Sequence, residues 1–263
     1  MKPHHTRSFA ILEFLLRRER LLLGLVLIVV IALCWLWIVV MARDMYGSMS
    51  RSSAWMMTSV WDVTHLLLLW AMWAVMMVGM MLPAAAPTLL LYMRAARAQG
   101  ADSHHGSRVY ALAGGYLLVW AVFSMGATLL QRLLASGELL SAMMEPATPV
   151  LGAAILSLAG VYQFTPLKRA CLRACRSPLS FLMRRWQPGW SGAFRLGLEH
   201  GIYCLGCCWA LMLLLFAGGV MNLAVIAALT LWIVLEKLIP FGEPGVRVSG
   251  VFLIATAAWI LLR

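Results

Sequence analysis

Three groups of residues in this chain could do chemistry by their type and spacing. The densest holds Glu199, His200, Cys204, Cys207 and Cys208 within ten residues. At about 100° per residue along a helix, Cys204 and Cys207 fall on either side of His200, and Cys208 lies about 80° round from it. One helix face therefore presents an imidazole with two or three thiols. Such donors suit Cu(I), with Zn(II) the other metal they would take. Polar and ionisable groups inside an apolar helix are functional candidates by default, although cysteine is also a small, well-tolerated core residue.

The second group is sulfur of a different kind. Of 18 methionines, five fall at Met72, Met76, Met77, Met80 and Met81. Measured round a helix from His65, the residues Met72, Met76 and Met80 share one face, with Asp62 on the same side. A thioether ladder beneath His65 would pass Cu(I) inward, and plain apolar packing is the competing reading. An outer series, Met41, Met45 and Met49, repeats every four residues, but Gly47 and Ser48 interrupt it, and Met56 and Met57 follow.

The third group is Cys171 with Cys175, one helical turn apart and on the same side as Leu167 and Ala174, while Arg169, Arg173 and Arg176 face away. Bound metal and buried packing account for that pair equally well. The expected ligands are thus His200, Cys204, Cys207, Cys208, Cys171, Cys175, His65, Met72, Met76 and Met80. Glu199 and Glu236 are the carboxylates placed to orient them, Glu236 by orienting His200 or by simple pairing with Lys237 or a loop arginine.

Cys204 and Cys207 also form a Cys-x-x-Cys pair, so a membrane thiol oxidoreductase is an alternative. A non-catalytic assembly subunit whose cysteines only pack is another. Cys34 stands alone in an apolar stretch and reads as core. No catalytic serine cluster, phosphate-binding glycine loop or zinc-protease motif is present, and no enzymatic role is expected.

The elements that hold these residues are helices in an apolar medium. Of 263 residues, 63% are hydrophobic and 12% charged, about half the charged share of a soluble domain. The apolar residues fall in blocks near the roughly 20 residues that carry a helix across a 30 Å hydrocarbon core. The blocks lack the period-two alternation of outer-membrane strands. The expected fold is all-α, a polytopic transmembrane helix bundle of about seven spans: 21–41, 66–92, 109–133, 148–164, 198–217, 220–235 and 248–262. Residues 1–20 are expected as a cytoplasmic segment, perhaps better described as an interfacial helix, and 21–263 as one membrane domain. The cytoplasmic loop 165–197 is read as amphipathic.

The net charge of +11 does not point to nucleic acid, because its distribution is topological. With the amino terminus in the cytoplasm, 17 of the 21 Lys and Arg residues lie inside, leaving Arg43, Arg51, Arg132 and Arg263 outside. That asymmetry predicts amino terminus in and carboxyl terminus out, with the basic residues against anionic lipid. The first span lacks a cleavage site and is read as retained. Pro83 and Pro87 predict a kink or break in the second span. Small residues at Ala153, Ser157, Gly160, Gly197 and Gly201 predict close helix packing.

Several stretches resemble a known family. They are the run from Met72 to Pro83, the run Tyr162, Gln163, Thr165, Pro166, Leu167 and Lys168 leading to Cys171 and Cys175, and the run from Glu199 to Met212 continuing to Glu236 and Lys237. Together they are similar to an uncharacterised bacterial family of predicted metal-binding integral membrane proteins, some of whose members are labelled copper chaperones. The similarity covers residues 61–242, and the cysteine run is its most specific part. It implies a bacterial inner-membrane location and a metal-handling role. The expected partners are the lipid bilayer and a protein that donates or accepts copper.

Overall fold

A computed structural model of the chain describes residues 4–46, 62–98, 105–141, 144–239 and 242–262. Met49, Met56 and Met57 lie outside these residues. Among the described residues there are ten α-helices and no strand: α1 (His4–Tyr46), α2 (Val63–Ala98), α3 (His105–Ser136), α4 (Pro149–Gln163), α5 (Pro166–Arg176), α6 (Pro178–Arg185), α7 (Gly189–Met212), α8 (Leu214–Gly218), α9 (Leu223–Leu238) and α10 (Gly242–Leu262). The all-α expectation holds. The backbone is helical from His4, so the residues before Leu21 continue the helix of the first span.

Five helical stretches are long and apolar enough to cross a bilayer, or six if α4 and α5 count as one bent span. The fourth and sixth expected spans are the shortfall. They are helices of 15 and 16 residues, about 22 and 24 Å long, against a hydrocarbon core of about 30 Å. The direction of packing nonetheless alternates. Trp35 of α1 meets Gly79, and Trp70 and Trp73 of α2 reach Ala121 and Gln131 of α3, both antiparallel arrangements. In α7, Gly197 faces Leu112 and Gly201 faces Val119, so α7 runs parallel to α3. In α4, Gly160 faces Ile254 and Gly250 faces Phe164, so α10 runs back along α4.

The close approaches depend on missing side chains. A Cβ on Gly197 would strike the Leu112 carbonyl, and one on Gly115 the Phe194 carbonyl. Backbone cannot yield as a flexible side chain can, so α3 and α7, the most extensive helix pair, meet only with glycine at both contacts.

Helix α2 runs unbroken through Pro83 and Pro87 rather than breaking there. Pro83 has no N–H for the Gly79 carbonyl one turn earlier, and that carbonyl instead accepts from Trp35 Nε1 at 3.3 Å. An indole from α1 thus replaces the missing backbone donor, which is why the helix tolerates the proline.

Between α4 and α5 the chain does turn, by 67°. Thr165 precedes a proline and is extended (φ −71°, ψ 147°), and its side chain accepts from the Lys168 N–H to start α5. The expected amphipathic loop is therefore two helices, α5 and α6, before α7 begins at Gly189. Gly219, at φ +90°, turns the chain from α8 into α9, which Asn222 caps through its side-chain oxygen.

Burial follows this architecture. Apolar side chains of α1 and α10, among them Leu21, Leu25, Ile28, Phe252 and Trp259, remain exposed, whereas α2 and α7 form the centre. That is the inverse of a soluble protein and is compatible with a multi-pass membrane protein. One core cluster contains ten methionines: Met41, Met45, Met72, Met76, Met77, Met80, Met81, Met144, Met212 and Met221.

Candidate metal centre

The middle of α7 faces α5, α2, α3 and the end of α9, and sulfur collects at that meeting point. Cys204, Cys207 and Cys208 are buried on α7, and Cys171 is buried on α5. Cys175 of α5 brings its sulfur to 4.0 Å from that of Cys207. Cys208 Sγ lies 3.9 Å from Met81 Sδ on α2. Both thiols, Cys207 and Cys208, donate to the Cys204 carbonyl, at 3.1 and 2.9 Å. Cys171 Sγ fills the space beside Gly206, where a Cβ would stand 2.7 Å from it. All six cysteines are free thiols.

Two further groups close on Cys204. The Lys237 ammonium, near the end of α9, is 2.8 Å from its sulfur. The Tyr116 hydroxyl of α3 is 3.1 Å from the same atom and donates to the Met81 carbonyl at 3.0 Å. Lys237 and Tyr116 are both buried, so this ammonium lies in an interior where a cation needs a partner. The sulfur of Cys204 is the partner it has.

Other expected residues go elsewhere. The buried His200 ring is 5.5 Å, centroid to centroid, from Tyr116 and equally far from Phe181, one turn before Cys204. Glu199 faces Arg185 and Arg195, at 3.5 and 3.8 Å, and so points away from the imidazole. Glu236 pairs with Lys168 at 2.7 Å and accepts from Gln163 Nε2 at 3.5 Å; it does not orient His200. The Glu236 carbonyl accepts from Arg176 at 2.8 Å, so α5 is tied to α9 twice.

His65 is buried at the start of α2, where its backbone N–H donates to Asp62 Oδ1 at 2.7 Å. Sixteen residues separate it from Met81, about 24 Å along a helix, so it stands apart from the thiols. Met72, Met76 and Met80 line the stretch between, each fully buried, and so are Met77 and Met81. A helical wheel with one buried face separates those two sets. Here α2 is enclosed on all sides, and Met81 rather than Met80 meets a thiol.

Among the described residues no three of His, Cys, Asp and Glu converge as a closed ligand set. What the site offers is pairs of soft donors. Two sulfurs bound to one metal at about 2.3 Å, with an angle near 120°, would stand about 4 Å apart. The Cys175–Cys207 and Cys208–Met81 separations of 4.0 and 3.9 Å both fit. The residues that sequence reasoning missed are Met81, Tyr116, Lys168 and the role of Lys237. The Glu236–Lys237 dipeptide at the end of an apolar helix was the available signal for the last.

The fold and site define a helical protein whose apolar core carries a dry cluster of thiols and thioethers. The chain belongs to the PpoB2 copper chaperone family, whose model matches residues 70–260. No curated protein and no solved structure matches it. The family description agrees with the resemblance noted in the sequence, and points to copper and to a non-enzymatic role; it does not point to zinc.

Proposed function

We propose that this protein holds Cu(I) within a bacterial inner-membrane helix bundle and hands it to an acceptor protein. Copper here is cargo. The observation that carries the reading is the buried sulfur cluster: Cys175 facing Cys207, Cys208 facing Met81, and Cys204 against Lys237. Thiolate and thioether donors select Cu(I). Cu(I) bound by two thiolates carries one negative charge, and the Lys237 ammonium offsets it, which matters where an unpaired charge is costly. His200 stands one turn away as a further ligand, and Cys171 borders the cluster.

The core methionines provide the route. Met72, Met76, Met77, Met80 and Met81 form a buried series toward the thiols, with His65 at its far end. The positive charge distribution supports seven crossings with the amino terminus inside, and the alternating helix directions fit that count if α4 and α9 cross as short helices. In that orientation α5, bearing Cys171 and Cys175, sits on the cytoplasmic side, where copper would leave.

The test is metal binding by the purified protein in detergent, titrated with Cu(I) under reducing conditions. Wild type is expected to bind Cu(I) stoichiometrically, and the Cys204→Ser, Cys207→Ser double variant to lose most of that binding. Absence of binding by wild type, or unchanged binding by the double variant, would refute the proposal.

A further inference from the structure

A cavity of about 300 Å³ opens where α4 bends into α5 against α10, lined by Gln163, Phe164, Arg169, Val246 and Arg247. It is separate from the sulfur cluster, and the metal reading does not require it. Two guanidinium groups reach it from different helices, Arg169 from α5 and Arg247 from α10. The described residues that line it include no carboxylate, and the nearby Glu236 is engaged by Lys168.

Gln163 is the informative member. It is buried, and its Nε2 is directed to Glu236 at 3.5 Å, which sets the orientation of the amide. Its Oε1 is buried with no hydrogen-bond partner. A buried acceptor without a donor is costly, so a ligand hydroxyl is what that position lacks. The site therefore offers two cationic forks for an anion, one carbonyl oxygen for a hydroxyl, and an apolar wall from Phe164 and Val246.

We propose that this cavity binds a phosphate ester that also carries a hydroxyl group, as a glycerol phosphate does. Paired guanidinium groups match phosphate oxygens in bidentate fashion. Basic pockets between membrane helices are known headgroup sites. The same chemistry occurs in a phosphatidylglycerol headgroup and in free glycerol phosphate, and the two are separable by experiment. The site lies on the 67° bend that carries the two α5 cysteines, so an occupant would brace that bend.

The test uses the full-length purified protein, with ligand retention read by native mass spectrometry and by thermal melting. The probes are phosphatidylglycerol, phosphatidylcholine and sn-glycerol 3-phosphate. Phosphatidylglycerol is expected to bind in preference to phosphatidylcholine, which lacks a headgroup hydroxyl and net charge. Arg247→Gln, at an exposed position that should not disturb folding, and Gln163→Met are each expected to weaken binding about tenfold. Competition by glycerol phosphate at equal affinity would assign a free phosphorylated ligand; its failure to compete would assign the lipid headgroup. The proposal is overturned if neither probe is preferred over phosphatidylcholine, or if both variants bind phosphatidylglycerol as wild type does.

Discussion

Glu236→Gln is the most direct way to ask whether the α5 cysteines are held at the cluster by the Lys168–Glu236 pair. The ammonium and carboxylate are 2.7 Å apart, and their side chains are 0% and 6% exposed. Glutamine keeps the shape but leaves the Lys168 charge buried without a counter-charge, a change that costs about 3–5 kcal/mol. The Arg176 contact to the Glu236 backbone carbonyl survives the substitution, so the lower end applies. About 3 kcal/mol is roughly a hundredfold in the equilibrium between docked and detached α5. Cys175 should then react with a maleimide about a hundredfold faster, as measured by time-resolved labelling and peptide mapping. The double variant Lys168→Met, Glu236→Leu removes both charges, and an apolar pair of similar volume is often neutral or stabilising. It should label slowly again. A Cys175 rate within about twofold of wild type in Glu236→Gln would refute the reasoning, as would a double variant as reactive as the single one.

Other outcomes follow from the same geometry. Gly197→Ala places a methyl group against the Leu112 carbonyl at the α3–α7 contact; it should cost about 1–3 kcal/mol, read as a lowered melting temperature in detergent. Met81→Leu conserves volume, so the melting temperature should change little, but the loss of the sulfur beside Cys208 should weaken Cu(I) binding about tenfold in a competition titration. Mild oxidation of the metal-free protein by diamide should join Cys175 to Cys207, whose sulfurs are 4.0 Å apart. Mapped disulfides should show that pair in preference to Cys204–Cys207, and prior loading with Cu(I) should protect it.

The sequence by itself determined the helical class, the apolar medium and the chemistry on offer. Those properties are local or additive: block length, charge distribution along the chain, and the side chains that lie within a turn of one another on one helix. The Cys204, Cys207 and Cys208 grouping was legible for that reason, and so was the Cys171 and Cys175 pair. Two local rules were overridden by neighbours. Pro83 does not break α2 because Trp35 supplies the donor from another helix. Two expected crossings proved short, since hydropathy sees apolar length but not where Thr165 and Gly219 turn the chain.

Only the tertiary structure decided which sulfurs meet. Cys175 faces Cys207 across a 32-residue separation, and Met81 reaches Cys208 across 127. Glu236 was read as an orienting group for His200 or a partner of Lys237 or a loop arginine. It went instead to Lys168, 68 residues away, and left Lys237 to the thiol of Cys204. A helical wheel fixes angles within one helix, whereas the rotation and depth of that helix against its neighbours depend on glycine contacts, a bend and a buried ion pair elsewhere in the chain. Those long-range terms select one arrangement of donors from the many that the same sequence pattern allows.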